Sequence, residues 1–75
     1  MPRKSIEEIA RKECSILLKH GNVDDYIFCI ETLKAYDRGE YGYSKTIDLL
    51  SMVLPLKKAK KVADNFDRKR RRIRG

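Results

Sequence analysis

Apolar residues recur along this chain at the spacing of a helix, in four blocks separated by short polar or glycine-bearing gaps. The first block is Ile6, Ile9, Ala10, Cys14, Leu17 and Leu18, which predicts a helix over residues 5–19. Ser5-Ile6-Glu7-Glu8 has the form of a capping box, and His20-Gly21 supplies the stop, because glycine can take a left-handed conformation. The second block is Val23, Tyr26, Ile27, Ile30, Leu33 and Tyr36, widened by Phe28, Cys29 and Ala35. It predicts a helix that begins at Asn22 or Asp24, runs to residue 38 and ends at Gly39. A helix that is apolar over most of its girth belongs at the centre of a fold.

After the turn at Gly39-Glu40-Tyr41-Gly42-Tyr43, a third helix is expected from about residue 44. It carries Ile47, Leu50, Val53 and Leu54, with Leu49 and Met52 alongside. Pro55 either ends it or opens the next helix at its first position, so a tight bend is expected there. The fourth block has two opposed faces. Leu56, Ala59, Val62, Ala63 and Phe66 form one stripe, and Lys57, Lys58, Lys60, Lys61, Arg68, Arg71 and Arg72 fall on the other side. Beyond Phe66 only Ile73 continues the stripe, and the cluster of cations predicts a frayed end in free solution. The fold class read from this pattern is all-α: a compact four-helix bundle or array, one domain over residues 1–67, with a basic tail over residues 68–75. The sparse glycine and proline agree with helices rather than a turn-rich β fold. A chain of 75 residues buries only about 60% of its unfolded surface, so the core is small.

Charge changes the picture. Residues 55–75 hold ten of the 18 Lys and Arg and two of the 11 acids, which makes that segment +8 against −1 for residues 1–54. The net +7 is thus a property of the C-terminal element, and such asymmetry points to a polyanionic partner. The candidate phosphate contacts are Lys57, Lys58, Lys60, Lys61, Arg68, Lys69, Arg70, Arg71, Arg72 and Arg74. Only Asn65 stands on the ridge with an amide able to read a base, so backbone contacts are expected to dominate. A helix-turn-helix is disfavoured, because the joint Val53-Leu54-Pro55-Leu56 is apolar throughout and lacks a glycine or polar turn. A membrane-surface role for the basic helix is weaker still, since the fold needs the apolar face and that face has no large aromatic anchors.

The remaining chemistry is sparse. Cys14 and Cys29 flank the predicted turn near Gly21-Asn22 symmetrically, and could pair if their α-carbons came within about 7 Å. The preferred reading is two reduced, buried thiols. Two cysteines and one histidine without a CxxC make no zinc site. His20 suits a helix C-terminus, and the acid pairs Glu7/Glu8 and Asp24/Asp25 suit helix starts. With no phosphate loop, cofactor motif or nucleophile–base spacing, neither an enzyme nor a cofactor is expected. Tyr26 and Tyr36 fit the core stripe. Tyr41 and Tyr43, in the turn, are candidate protein-interface residues; stacking on single-stranded bases and roofing the core are the other readings. No apolar run approaches the about 20 residues of a membrane span, and Met1-Pro2-Arg3-Lys4-Ser5 is followed by no signal-peptide core. Cysteine usage then points to an intracellular location, cytoplasm or nucleus.

From Ile16 to Phe66 the spacing resembles a harmonin-N-like helical domain. The residues that carry the likeness are Ile16-Leu17-Leu18, Asp25-Tyr26-Ile27, Leu33-Lys34-Ala35-Tyr36, Ile47-Asp48-Leu49-Leu50 and Phe66. The resemblance implies a small α-domain that receives a partner's helical peptide in a groove between helices. The chain departs from it after Phe66, where an apolar segment is replaced by an arginine-rich one, and no binding residues are carried over.

These readings converge on a small, non-enzymatic regulatory binding protein. Its helical body would dock on a protein partner and its basic helix and tail would contact nucleic acid, as in a transcription-type regulator. The alternative is a purely protein-binding module, with the tail as linker, localisation signal or docking arm for an acidic surface. Self-association is a further expectation for so small a core.

Overall fold

A computed structural model describes residues 5–74, with the side chains of 5–73. The reading of Met1-Pro2-Arg3-Lys4 lies outside the described residues. Among these the chain is all-α, with five helices in the order α1 (Ile6–Glu13), α2 (Ser15–Lys19), α3 (Val23–Asp37), α4 (Tyr43–Leu50) and α5 (Leu56–Arg74).

The expected first helix is two helices. Ser5 caps α1 in extended conformation, its hydroxyl accepting from the Glu8 amide at 3.1 Å. The helix breaks at Cys14 (φ −93°, ψ 2°), and the Leu17 amide reaches only three residues back, to the Cys14 carbonyl. Neither proline nor glycine marks the break. It falls where Cys14 joins Cys29 of α3 in a disulfide, with Cα atoms 6.2 Å apart and both residues fully buried. The expectation of two reduced thiols is therefore corrected.

Both helix stops at glycine are as expected, and they share one geometry. Gly21 (φ 77°) donates to the Leu18 carbonyl while Asn22 donates to Leu17. Gly39 (φ 84°) donates to Tyr36 while Glu40 donates to Ala35. Each is a Schellman pair that satisfies two orphaned carbonyls, and each needs a positive φ. The joint before α5 differs from the expected tight bend. Residues 51–54 form a turn in which Met52 and Val53 donate three residues back, to Leu49 and Leu50. Pro55 disfavours helical backbone at Leu54, then caps α5 with its carbonyl, which accepts from Ala59 at 2.8 Å.

The core is one cluster fed by every helix: Ile9 and Ala10 of α1, Leu17 of α2, Ile30, Leu33 and Tyr36 of α3, Ile47 and Leu50 of α4, and Ala59, Val62, Ala63 and Phe66 of α5, with the cystine beside them. Helix α3 is central, in contact with α1, α2 and α4. Phe66 is the largest fully buried side chain, its ring 6.3 Å from that of Tyr36. The predicted stripes are broader than the real contact. Leu18, Val23, Ile27, Met52 and Leu56 are all exposed. Buried side-chain polar atoms are satisfied among the described residues; Thr32 and Thr46 each bond a carbonyl one turn back.

Candidate nucleic-acid interface

Helix α5 is 19 residues long, about 28 Å at 1.5 Å per residue, nearly the 31 Å long dimension of the molecule. Its buried stripe of Ala59, Val62, Ala63 and Phe66 fixes which face meets solvent. On that outer face Lys57, Lys60 and Lys61 form one group at three- and four-residue steps and Arg68, Arg71 and Arg72 a second, seven residues further on, with Lys58 on the flank.

The ten predicted cations divide into groups with different work. Lys57, Lys58, Lys60, Lys61 and Arg72 are exposed, and none has an ion-pair partner among the described residues. Among the described residues Arg68 bonds only Asn65 Oδ1, at 3.2 Å. Arg71 lies 3.1 Å from Asp67, yet its side chain is 78% exposed. Lys69 and Arg70 are turned inward. Lys69 pairs with Glu13 at the end of α1, whose side chain is only 9% exposed. Arg70 lies 2.7 Å from Asp67 and 3.5 Å from Asp37 of α3, and its guanidinium stacks over the Tyr36 ring at 4.4 Å. Burial opposes the charge on Arg70, but the hydrogen bond and charge of Asp67 outweigh it and hold the pKa above its usual value. The Arg74 side chain lies outside the described residues.

These inward contacts explain why the expected fraying after Asp67 differs from the structure, in which helix continues to Arg74. Arg70 and Arg71 share Asp67 one turn back, Lys69 and Arg70 tie the helix to α1 and α3, and Ile73 packs on the core cluster. The acids break up the self-repulsion that the cation count alone predicts. The Asp67–Arg70 and Asp67–Arg71 spacings were readable along the chain. Glu13, Asp37 and Tyr36, from α1 and α3, carry no sequence signal of this role.

The two candidate interface tyrosines separate. Tyr41 is half-buried and makes no hydrogen bond among the described residues. Tyr43, at the start of α4, is 44% exposed, and its hydroxyl donates to Asp64 Oδ1 at 2.5 Å. That bond, before burial and the Asp64 charge, holds the Tyr43 pKa above its ordinary 10.0. Tyr36 is also raised, by burial first and the charge of Asp67 second. Asp64 is the one acid on the outward face of α5 among the described residues.

Elsewhere the surface offers little chemistry. Among the described residues no group of His, Cys, Asp and Glu could hold a metal, and no helix is long and apolar enough to cross a membrane. A shallow groove between α1 and α3 is lined by Glu7, Arg11, Tyr26, Ile27, Ile30 and Glu31. No family model, curated protein or solved structure matches this chain.

Proposed function

We propose that this chain is a small, non-enzymatic regulatory binding protein whose α5 ridge contacts the phosphates of a nucleic acid while its helical body docks on a protein partner. A regulator of a transcription-type machine fits this description. The observation that carries the reading is the row Lys57, Lys60, Lys61, Arg68, Arg71 and Arg72, cations held outward on a helix that the core has already fixed in place. Guanidinium and ammonium groups so placed neutralise phosphates and release counterions. Lys69 and Arg70 act differently under this reading. They position the ridge rather than touch the ligand, since their charges are spent on Glu13, Asp37 and Asp67. The intracellular location expected from two reduced cysteines loses that support, because Cys14 and Cys29 are paired and disulfides are rare in reducing compartments.

The test is the salt dependence of binding to short nucleic acids. Each phosphate neutralised contributes about −0.9 to the log–log slope on duplex DNA and about −0.7 on a single strand. Replacing Lys57, Lys60, Lys61 and Arg72 together by alanine is expected to remove most of the affinity and flatten that slope. An unchanged slope in a folded variant would overturn the proposal.

A second reading rests on a different observation. Leu18, Val23 and Ile27 are exposed at the α2–α3 end, and Ile27 also borders the groove between α1 and α3. That surface suits a partner's apolar helix, which is the use a harmonin-N-like domain would make of it. Under this reading α5 is a docking arm for an acidic protein. Loss of binding to a protein partner on Ile27→Asp, with nucleic-acid affinity absent in the intact chain, would favour it.

A further inference from the structure

We infer that Tyr43 and Asp64 form a base-recognition spot within the phosphate ridge, one that takes a single-stranded nucleic acid and prefers guanine. The inference rests on the ridge reading above and deepens it.

Asp64 is out of place for a surface that only neutralises phosphates. It stands on the outward face of α5, with Lys60 four residues before it and Arg68 four residues after. At about 1.5 Å per residue, those cations lie about 6 Å along the axis on either side. A strand running along the ridge meets cation, carboxylate, cation in turn. Phosphate is repelled at the middle position, so a base has to lie there.

The middle position is furnished for a base. Tyr43 reaches it from another helix, and its ring is exposed while its hydroxyl is anchored on Asp64 Oδ1. An exposed aromatic beside cations is a stacking platform, and any base has a face to offer it. The carboxylate adds selectivity. Asp64 Oδ2 has no partner among the described residues, and Oδ1 keeps a lone pair beyond the one that Tyr43 uses. Guanine alone presents two adjacent donors, N1–H and the N2 amine, matched to the two oxygens of a carboxylate. Uracil and thymine present one donor flanked by acceptors that a carboxylate repels. That edge is paired in a duplex and open in a single strand, so the spot selects for unpaired nucleic acid.

The experiment uses the full chain and fluorescence anisotropy at about 50 and 200 mM salt. The probes are labelled dT12, a dT12 in which two separated thymines are replaced by guanine, and a mixed-sequence 12-mer duplex. The expected result is about fivefold or more tighter binding of the guanine-bearing strand than of dT12, with the duplex weaker than either. Asp64→Asn is expected to bring the two single strands level while keeping the salt slope. Tyr43→Ala is expected to weaken both about fivefold or more, and Tyr43→Phe to weaken them far less. Circular dichroism on each variant confirms that it is folded.

Equal affinity of the unaltered chain for the two single strands, with a steep salt slope, overturns the base spot and leaves the ridge standing. Duplex binding at least as tight as single-strand binding does the same. No binding to any probe at low salt overturns both. The unaltered chain alone decides guanine preference, so a misfolded variant cannot mask the answer.

Discussion

Reduction of the Cys14–Cys29 disulfide is expected to cost this domain a large share of its stability. The two cysteines are 15 residues apart, and cross-linking a loop of that length removes about 3 kcal/mol of conformational freedom from the unfolded chain. A domain of this size has about 4–11 kcal/mol in all, at about 0.05–0.15 kcal/mol per residue. Each kcal/mol moves the melting temperature of a 60–100-residue domain by about 4–8 °C, so reduction should lower it by about 12–24 °C. The Cα separation of 6.2 Å sits inside the range that a disulfide spans, so the native state gives little of this back. The loss also has a direction in space. Glu13, which holds Lys69, is the residue before Cys14, so loosening this corner loosens an anchor of α5. The assay is thermal melting by circular dichroism on chain refolded with and without a thiol-free reductant, with mass spectrometry to count thiols. A Cys14→Ala/Cys29→Ala chain, with or without reductant, is expected to melt near the reduced one. A fully reduced chain that melts within about 3 °C of the oxidised one would refute the argument, because about 3 kcal/mol cannot hide in so small a shift.

Three further outcomes follow from local geometry. Gly39→Ala and Gly21→Ala should each destabilise by about 1–2 kcal/mol in urea titrations; a Cβ at either site meets no atom within 4 Å, so a left-handed backbone is the whole cost, and a neutral result would contradict it. Arg70→Met should cost about 2 kcal/mol by the same measurement, below the roughly 3–5 of a fully buried pair because Arg70 keeps some exposure, and should leave the salt slope of nucleic-acid binding nearly unchanged. In an ultraviolet titration, Tyr36 and Tyr43 should ionise above the ordinary 10.0. Since folding raises these pKa values, the protonated forms favour the native state, and the contribution present below pH 10.0 is lost as pH rises through the folded values. Melting temperature should therefore fall with alkalinity beyond that point, and Tyr36→Phe should make the fall shallower.

What the chain made legible was whatever a single residue's backbone chemistry decides. Gly21 and Gly39 end helices because a positive φ is required there, and Ser5 caps because its hydroxyl reaches an orphaned amide. Of the apolar run Leu56, Ala59, Val62, Ala63 and Phe66, all but the exposed Leu56 lie on the buried face of α5, because the charges opposite them left no other choice. Periodicity alone said less about α3. A helix apolar around most of its girth has more stripe than neighbours to cover it, and Val23 and Ile27 are the surplus. The break at Cys14 left no local mark, since what accompanies it is a bond to a residue 15 positions away. The ridge was legible as a charge excess, but its division into outward and inward cations was not. That division depends on where Glu13 and Asp37 arrive from α1 and α3. The pairing of Tyr43 with Asp64, 21 positions apart, is of the same kind.

The ion pairs at the end of α5 bear on the calorimetry of any complex this protein makes. Arginine-rich segments that fold only on contact pay for ordering at that moment, and show it as a large negative heat-capacity change. Here the helix through Arg74 is fixed by contacts to α1 and α3 in the free protein. On the proposed reading, association along the ridge therefore buries little apolar surface and orders little of the protein's backbone. Its heat capacity should change little, and the largest share of its free energy should come from displaced counterions, a colligative entropy that added salt erases. The same rigidity makes the ligand the partner that bends to fit.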